Sequence, residues 1–137
     1  MCGIGILVAD KLHSNFYGYV EKELIRMADR GPDASKTQII NNHIVAGHTR
    51  LAINGLSEEF NQPYSTDNEH YLIFNGEIYN FKEDFPGYRS DTKYLYDNLV
   101  AANGDMEKIK VFLSKCDAVW AFSFISPEYI IISRDIF

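Results

Sequence analysis

The feature that most constrains the fold is an apolar run that begins almost at the first residue. Residues 3–9 read Gly-Ile-Gly-Ile-Leu-Val-Ala, and Asp10 ends the run. A run this short cannot cross a membrane as a helix, which needs about 20 apolar residues. A short apolar run of this kind predicts a buried strand. No positively charged stretch precedes the run, so it is not typical of a signal peptide either. We therefore expect the first residues to form a core strand of a folded domain.

The rest of the chain alternates between helical and strand patterns. Apolar residues at helical spacing predict a first helix over residues 16–27, and Gly31-Pro32 ends it. A second helix is expected from Ser90 to Asn103, and a short third one over residues 106–113. Strand-like segments are expected at residues 37–40, 44–46, 71–74, 118–125 and 129–133. With no repeats and no linker, this pattern predicts one α+β domain built on antiparallel strands.

Turn signals separate several of these segments. Asn41-Asn42 lies between two strand-like segments and is typical of a hairpin turn. Asn75-Gly76 follows an apolar strand and carries the same signal more strongly. The polar, turn-rich stretch of residues 54–68 predicts a surface loop.

Length and charge exclude several classes of function. The 137 residues fit one domain, so we expect no separate synthetase or ATP-binding domain on this chain. The 19 acidic residues outnumber the 13 basic ones, which argues against binding nucleic acid or an anionic membrane surface. Cys2 and Cys116 show no metal-ligand spacing. Free thiols without an export signal indicate a reducing, cytoplasmic setting.

Cys2 is a candidate nucleophile. Methionine is normally trimmed when the second residue is small, which allows the mature chain to begin with Cys2. Such a cysteine carries its own base, because an α-amino group of pKa about 7.7–8.0 can accept the proton of a thiol of pKa about 8.5. For this residue alone, an ordinary small side chain leading into a strand is the more common interpretation.

Three further segments combine an ordinary structural role with a chemical one. Asn75-Gly76 can form a hairpin turn, and the same pair can aim an amide and a backbone N–H at one oxyanion. Arg50 can be a solvated strand end or bind a substrate carboxylate. Ser90 or Asp91 can cap a helix, and Asp91 can also pair with a substrate ammonium. Surface or core positions are expected for the remaining candidates, which show no ligand spacing: His13, His43, His48, His70 and Cys116.

The order of five motifs is more specific than any one of them. They are Met-Cys-Gly-Ile at residues 1–4, Arg-Gly-Pro-Asp at 30–33, Gly-His-Thr-Arg-Leu-Ala-Ile at 47–53, Asn-Gly-Glu-Ile-Tyr-Asn at 75–80 and Ser-Asp-Thr at 90–92. This order resembles the class II glutamine amidotransferases, the N-terminal-nucleophile glutaminase domains, and specifically the asparagine synthetase type. The resemblance covers the whole chain and includes Gln62-Pro63.

The resemblance implies a fold and a reaction. The fold is a four-layer αββα N-terminal-nucleophile hydrolase fold, with two stacked antiparallel sheets between helices. The domain of residues 1–137 is expected to hydrolyse L-glutamine to glutamate and ammonia through a thioester on Cys2, without a metal or a cofactor. A synthetase chain is the implied acceptor of the ammonia, and the formation of a homodimer stays open.

The resemblance also assigns roles at the reacting centre. Cys2 is expected to attack the carboxamide carbon of glutamine. The Asn75 side chain and the Gly76 N–H are expected to bind the oxyanion of the tetrahedral intermediate. Arg30 and Asp33 are expected to organise the loop near the nucleophile.

The same resemblance assigns residues to the rest of the glutamine pocket. Arg50 is expected to bind the α-carboxylate of glutamine and Asp91 its α-ammonium. Glu77 and the backbone after Arg50, which includes Ile53, are expected to complete the pocket.

Three features depart from the family pattern. Lys93 stands where the family commonly has an acidic residue, so it cannot form a capping box with Ser90, and it brings a positive charge into the first helical turn. We expect a looser helix start as a result. If Met1 is retained, the nitrogen of Cys2 is an amide and the thiol has no base. The family pattern continues beyond Phe137 with a glycine-containing turn and a further strand.

Two other functions stay open. The first is a catalytically silent glutamine-binding or interaction module of the same fold. Lys93 supports it, as does the family pattern's continuation beyond Phe137. The presence of the expected site residues opposes it. The second is an N-terminal-nucleophile amidohydrolase that acts on another amide. The combination of Arg50 and Asp91, which suits the two charged ends of an amino acid, argues against it.

Overall fold

The structure is a computed structural model that describes residues 1–84 and 86–136. The strands are β1 (Gly3–Val8), β2 (Ala34–Asn41), β3 (Ile44–Arg50), β4 (Tyr71–Ile78), β5 (Ala118–Ile125) and β6 (Ile130–Arg134). The helices are α1 (Asn15–Arg26), α2 (Phe81–Asp84), α3 (Asp91–Ala102) and α4 (Met106–Ser114). Within the described ranges, no helix is both long enough and apolar enough to cross a membrane.

The strands form two antiparallel sheets of three strands each. The first sheet has the order β1-β3-β2, and the second has the order β4-β5-β6. In the first sheet the central strand β3 is buried along its whole length. Gly47 of β3 pairs with Gly5 on one side and with Thr37 on the other. The predicted hairpin at Asn41-Asn42 is confirmed, since this pair lies where β2 leads into β3.

The two sheets stack because successive side chains of a strand point to opposite faces. Ile44 and Ala46 of β3 share an apolar cluster with Ile73 of β4, which fills the space between the sheets. Val45, which points the other way, packs with Leu24 of α1. Helix α1 therefore covers the outer face of the first sheet.

Helices α3 and α4 cover the outer face of the second sheet. Leu72 and Phe74 of β4 share one large cluster with Leu95 and Leu99 of α3 and Ile109 of α4. Each of these side chains is buried, which stabilises the fold by roughly 1.5–3 kcal/mol per side chain. The order of layers is helix, sheet, sheet, helix. This confirms the four-layer αββα arrangement that the sequence predicted.

Gly47 allows α1 to lie close to the first sheet. A Cβ atom at this position would lie 2.6 Å from Cδ1 of Leu24. Because that leucine is buried in the cluster beneath α1, an alanine at position 47 would push the helix away from β3.

Helix α3 begins and ends where the sequence predicted. The Ser90 hydroxyl accepts a hydrogen bond from the Thr92 N–H at 3.2 Å, and Asn103 ends the helix in the left-handed conformation with φ of 48°. Lys93 does not remove this cap. Its Nζ lies 2.7 Å from the Asp97 carboxylate one turn further along, which directs the positive charge away from the helix start.

The prediction of a hairpin turn at Asn75-Gly76 is wrong. Strand β4 continues without interruption to Ile78, and the two residues pair in regular register with Ala121 and Trp120 of β5. Gly76 lets β4 pack closely against β5 and does not form a turn, because a Cβ atom at this position would overlap the carbonyl oxygen of Val119. The oxyanion interpretation of this pair does not depend on a turn.

Candidate active site

Cys2 stands directly before β1, beside the end of β3. The Gly3 N–H donates to the Thr49 hydroxyl at 2.9 Å, which anchors the chain one residue after the thiol. The Leu51 N–H donates to the Cys2 Sγ at 3.3 Å. Met1, by contrast, is 71% exposed. The thiol is therefore held in place by the first sheet while the residue before it faces solvent.

Arg30 and Asp33 contact the backbone on both sides of this thiol. The Arg30 Nε–H donates to the Cys2 carbonyl oxygen at 3.3 Å. Asp33 donates its N–H to the Arg50 carbonyl oxygen at 3.0 Å and accepts the Ala52 N–H at 2.8 Å. Both residues therefore contact the backbone next to the thiol.

A pocket of about 290 Å³ opens beside Cys2. Its walls contain each residue that the sequence assigned to the nucleophile, the oxyanion or the glutamine pocket: Cys2, Arg50, Ile53, Asn75, Gly76, Glu77 and Asp91. These residues lie at the ends of β1 and β3, along β4 and at the start of α3, so only the fold brings them together. The volume is at the lower end of the range for ligand pockets, about 300–1,000 Å³, and suits a ligand of amino-acid size.

The Gly76 N–H points away from the second sheet. Alternate N–H groups of β4 face its outer edge, and those of Leu72, Phe74 and Ile78 donate to the Tyr64 carbonyl, the Gln62 side chain and the Asp91 carboxylate. Gly76 belongs to the same series. Among residues 1–84 and 86–136, no side chain and no backbone carbonyl outside the strand ladder accepts its N–H. A donor that faces outward at the wall of a pocket is available to a ligand oxygen.

Arg50 is a buried residue, not the solvated strand end that was one of the two interpretations of its position. It is 6% exposed. Its Nη1 donates to the Ser57 carbonyl at 3.0 Å and to the Asn61 side chain at 2.7 Å. Its Nη2 donates to the carbonyls of Asn54 and Gly55. The guanidinium thus holds the segment of residues 54–61 against the pocket.

Two carboxylates make one end of the pocket acidic. Asp91 is 4% exposed and accepts hydrogen bonds from the N–H groups of Ile78 and Thr92. Burial raises the pKa of Asp91, and the charge of Glu77 raises it further, against the lowering effect of those two hydrogen bonds. Glu77 accepts a hydrogen bond from the Asn54 side chain at 3.3 Å. A cationic group of a ligand would relieve the repulsion between these carboxylates.

The structure adds buried polar residues that the sequence analysis did not assign to the site. Gln62 and Thr92 line the pocket and contact each other, with 3.4 Å between Gln62 Nε2 and Thr92 Oγ1. His48 lies behind the pocket, 3.1 Å from the Phe74 carbonyl oxygen. The sequence places Gln62-Pro63 only within the motif order, because the residues around Gln62 do not indicate that its side chain contacts Phe74 and Thr92.

His48 is a neutral hydrogen-bond donor. Burial lowers its pKa to about 4, and the nearby Arg50 charge adds to the effect, although the hydrogen bond to Phe74 opposes it. Near neutral pH the ring is therefore uncharged and carries its proton on Nε2, because the Phe74 carbonyl can only accept. Of the surface or core positions expected for the histidines, His48 takes a core position.

No cluster of three or more His, Cys, Asp and Glu side chains within the described residues could hold a metal ion. The groups that line the pocket are a thiol, amides, two carboxylates and a guanidinium. This set can activate a nucleophile, bind an oxyanion and hold the charged ends of an amino acid.

Comparison with known proteins agrees with this geometry. The family model for the glutamine amidotransferase domain matches residues 1–137. The chain belongs to this family. The amidotransferase domain is 47% identical over 62 residues to a probable asparagine synthetase (glutamine-hydrolyzing) of Acanthamoeba polyphaga mimivirus. It is 41% identical over 83 residues to asparagine synthetase (glutamine-hydrolyzing) 1 of Saccharomyces cerevisiae. The predicted resemblance to class II amidotransferases of the asparagine synthetase type is thereby confirmed.

The two matches cover only part of each protein. They include 43% and 58% of the amidotransferase domain, but 11% and 14% of the mimiviral and yeast proteins. The domain therefore corresponds to a small part of these synthetases.

Proposed function

We propose that this domain hydrolyses L-glutamine to glutamate and ammonia through a covalent glutamyl thioester on Cys2. The observation that carries the proposal is a single pocket lined by the Cys2 thiol, the backbone of Gly76 and two carboxylates. A thiol beside an oxyanion donor can attack an amide, and the acidic end selects a substrate with an ammonium group.

The reaction begins once Met1 is removed and Cys2 has a free α-amino group. The amine takes the thiol proton, and the thiolate sulfur forms a bond to the carboxamide carbon of glutamine. The negative charge moves to the carboxamide oxygen, where the Asn75 amide and the Gly76 N–H donate hydrogen bonds to it. The carbon–nitrogen bond then breaks, and the proton held by the amine leaves with the nitrogen as ammonia.

The second half of the reaction regenerates the thiol. The amine takes a proton from a water molecule, whose oxygen forms a bond to the thioester carbon. The carbon–sulfur bond breaks, glutamate leaves, and the proton returns to sulfur. The same two donors serve the second oxyanion.

Substrate binding is proposed to use both ends of glutamine. Asp91 holds the α-ammonium, with Glu77 beside it, and Ile53 lies along the side of the ligand. Arg50 binds the α-carboxylate. Both of its terminal nitrogens already donate to the segment of residues 54–61, so the carboxylate must either replace one of these acceptors or bind the remaining Nε–H.

We further propose that the ammonia passes to a synthetase unit, as the names of the two relatives suggest. A second candidate, a silent glutamine-binding module, is favoured by one feature. As long as Met1 precedes Cys2, the nitrogen of Cys2 is an amide and cannot take the thiol proton.

The test measures glutamate release from L-glutamine by a chain whose intact mass shows that Met1 is absent. The proposal expects release that Cys2→Ala abolishes, while Cys116→Ala, which removes the other thiol, retains it. Binding of glutamine without release by the Met1-free chain would support the silent module instead.

A further inference from the structure

Gln62 is a buried residue whose two polar ends contact opposite sides of the candidate active site. It is 5% exposed and lines the pocket beside Cys2. Its Oε1 accepts the Phe74 N–H at 2.5 Å, and its Nε2 lies 3.4 Å from Thr92 Oγ1. A backbone N–H can only donate, so the amide oxygen must be the atom that faces Phe74. The orientation of the side chain follows from this requirement.

On one side, Gln62 fixes the strand directly before the oxyanion donors. Phe74 precedes Asn75-Gly76, and its N–H is held by Gln62 while its carbonyl oxygen is held by His48. The next N–H on this edge of β4 is that of Gly76, for which the part of the chain that the structure describes offers no acceptor outside the strand ladder. Gln62 and His48 therefore make the last contacts on this edge before the Gly76 N–H.

On the other side, Gln62 fixes the start of α3. Thr92 follows Asp91 directly, and Asp91 accepts the Ile78 N–H at 3.3 Å. The contact from Gln62 to Thr92 and the contact from Ile78 to Asp91 join β4 to α3 on both sides of Gly76.

We propose that Gln62 is a positioning residue that sets the placement of the oxyanion donors on β4 relative to Asp91 on α3. The inference rests on the proposed glutaminase function and adds a residue to it. Gln62 acts through Phe74 and Thr92, since chain partners occupy its oxygen and one of its N–H groups.

The physical basis is the cost of an unpaired buried N–H. Without an acceptor at position 62, the Phe74 N–H must stay unpaired or the edge of β4 must move to find another partner. A misplacement of catalytic groups by about 1 Å can lower a rate by about 10²-fold. The loss is expected in kcat, because the oxyanion exists only along the reaction path.

The test compares Gln62→Met with Ser126→Ala on the Met1-free chain. Ser126 is buried in the turn before β6, and its hydroxyl accepts the Tyr129 N–H at 3.0 Å. Both substitutions thus remove a side-chain acceptor from a backbone N–H. Strand β5 begins beside the pocket end of β4 and ends at Ile125, so Ser126 lies at the opposite end of the second sheet.

We expect Gln62→Met to lower kcat by about tenfold or more, with Ser126→Ala within about twofold of wild type at a similar loss in Tm. Gln62→Asn keeps the amide but shortens its reach, so it should retain more activity, and it replaces Gln62→Met if that variant does not fold. A kcat near wild type in the Gln62 variants, or an equal loss in Ser126→Ala, would overturn the inference.

An NMR measurement separates this inference from the proposed function. The backbone amide signals of Gly76 and Thr92 should shift in the Gln62 variant and stay unchanged in Ser126→Ala. If the wild-type chain releases no glutamate, the proposed function fails. These signals then test on their own whether Gln62 sets the placement of β4 relative to α3. Unshifted Gly76 and Thr92 signals would then overturn the role of Gln62, and shifted signals would support it.

Discussion

The Ile78 N–H donates to the Asp91 carboxylate at 3.3 Å, so the strand that carries Asn75 and Gly76 is bonded directly to the start of α3. This contact gives the pocket a definite geometry. The proposed oxyanion donors lie on β4, and the proposed ammonium site begins the helix that packs against the same strand. The proposed oxyanion donors and the proposed ammonium site therefore share one structural support.

Asp91→Asn should weaken glutamine binding and remove part of its pH dependence. Burial raises the pKa of Asp91 above the ordinary 3.8, so its carboxylate takes up a proton as the pH falls through that raised value. The attraction to an ammonium group is then lost, and KM should rise toward low pH in the wild type. In Asp91→Asn, KM should be high at all pH values. A wild-type KM independent of pH would contradict the proposed role.

Asn75→Ala should lower kcat on the order of 10²–10³-fold, by analogy with the removal of other oxyanion donors. Glutamine binding should change little, because the oxyanion forms only after binding. The matched control is Asn98→Ala. The Asn98 side chain donates to the Tyr94 carbonyl within α3, and Asn98 does not line the pocket beside Cys2. A loss of activity in Asn98→Ala of the same size would point to damaged folding instead.

Substitutions at two helix caps distinguish an effect on stability from an effect on glutamine binding. Ser90→Ala removes the hydroxyl that accepts the Thr92 N–H, and Asp105→Ala removes the carboxylate that caps α4 by accepting the Glu107 and Lys108 N–H groups. Each loss should lower the free energy of unfolding within the range of about 0.5–2 kcal/mol, with Ser90→Ala at the lower end because the Thr92 N–H keeps Asp91 as an acceptor. Only Ser90→Ala should also raise KM, because α3 presents Asp91. Denaturant unfolding and steady-state kinetics check both variants, and an equal rise of KM in Asp105→Ala would refute the distinction.

The lowered pKa of His48 should make the free energy of unfolding depend on pH. Its pKa is lowered from 6.5 to about 4 in the folded chain, so the unfolded chain binds more protons between these values. The stabilising contribution is fully present above pH 6.5 and is lost as the pH falls to about 4, in total about 3 kcal/mol.

Replacing this histidine should flatten that dependence. His48→Gln keeps a neutral donor for the Phe74 carbonyl without a titrating ring, so its unfolding free energy should fall less steeply between pH 6.5 and 4. His13→Gln, at an exposed position, controls for the loss of a histidine as such. Denaturant midpoints across this pH range measure the slopes, and identical slopes for wild type and His48→Gln would show that His48 does not cause the dependence.

Much of the fold could be predicted from local patterns. The helix of residues 15–26, the hairpin at Asn41-Asn42 and the cap at Ser90 all follow from spacing and turn chemistry that act over a few residues. The hairpin expected at Asn75-Gly76 is wrong, because pairing with β5 along the whole length of β4 overrides the local turn signal.

The site could be predicted only in part, for a related reason. The motif order predicted the residues that line the pocket. It did not predict which of their side chains are already hydrogen-bonded to other parts of the chain. The four contacts from Arg50 to residues 54–61 and the contact from Gln62 to Phe74 depend on how the loop after β3 folds back on the strands. An irregular loop has no periodic pattern from which the partners of a side chain can be predicted.

The most direct measurement is the intact mass of the Met1-free chain, mixed with L-glutamine and quenched in acid during turnover. A thioester is stable enough in acid to be weighed, and peptide mapping locates it. The thioester mechanism predicts a fraction of the chain with one added glutamyl group on Cys2, which is absent in Cys2→Ala and increased when hydrolysis is slowed. Glutamate release by wild type with no such adduct under any quench, or with an adduct on Cys116, would contradict it.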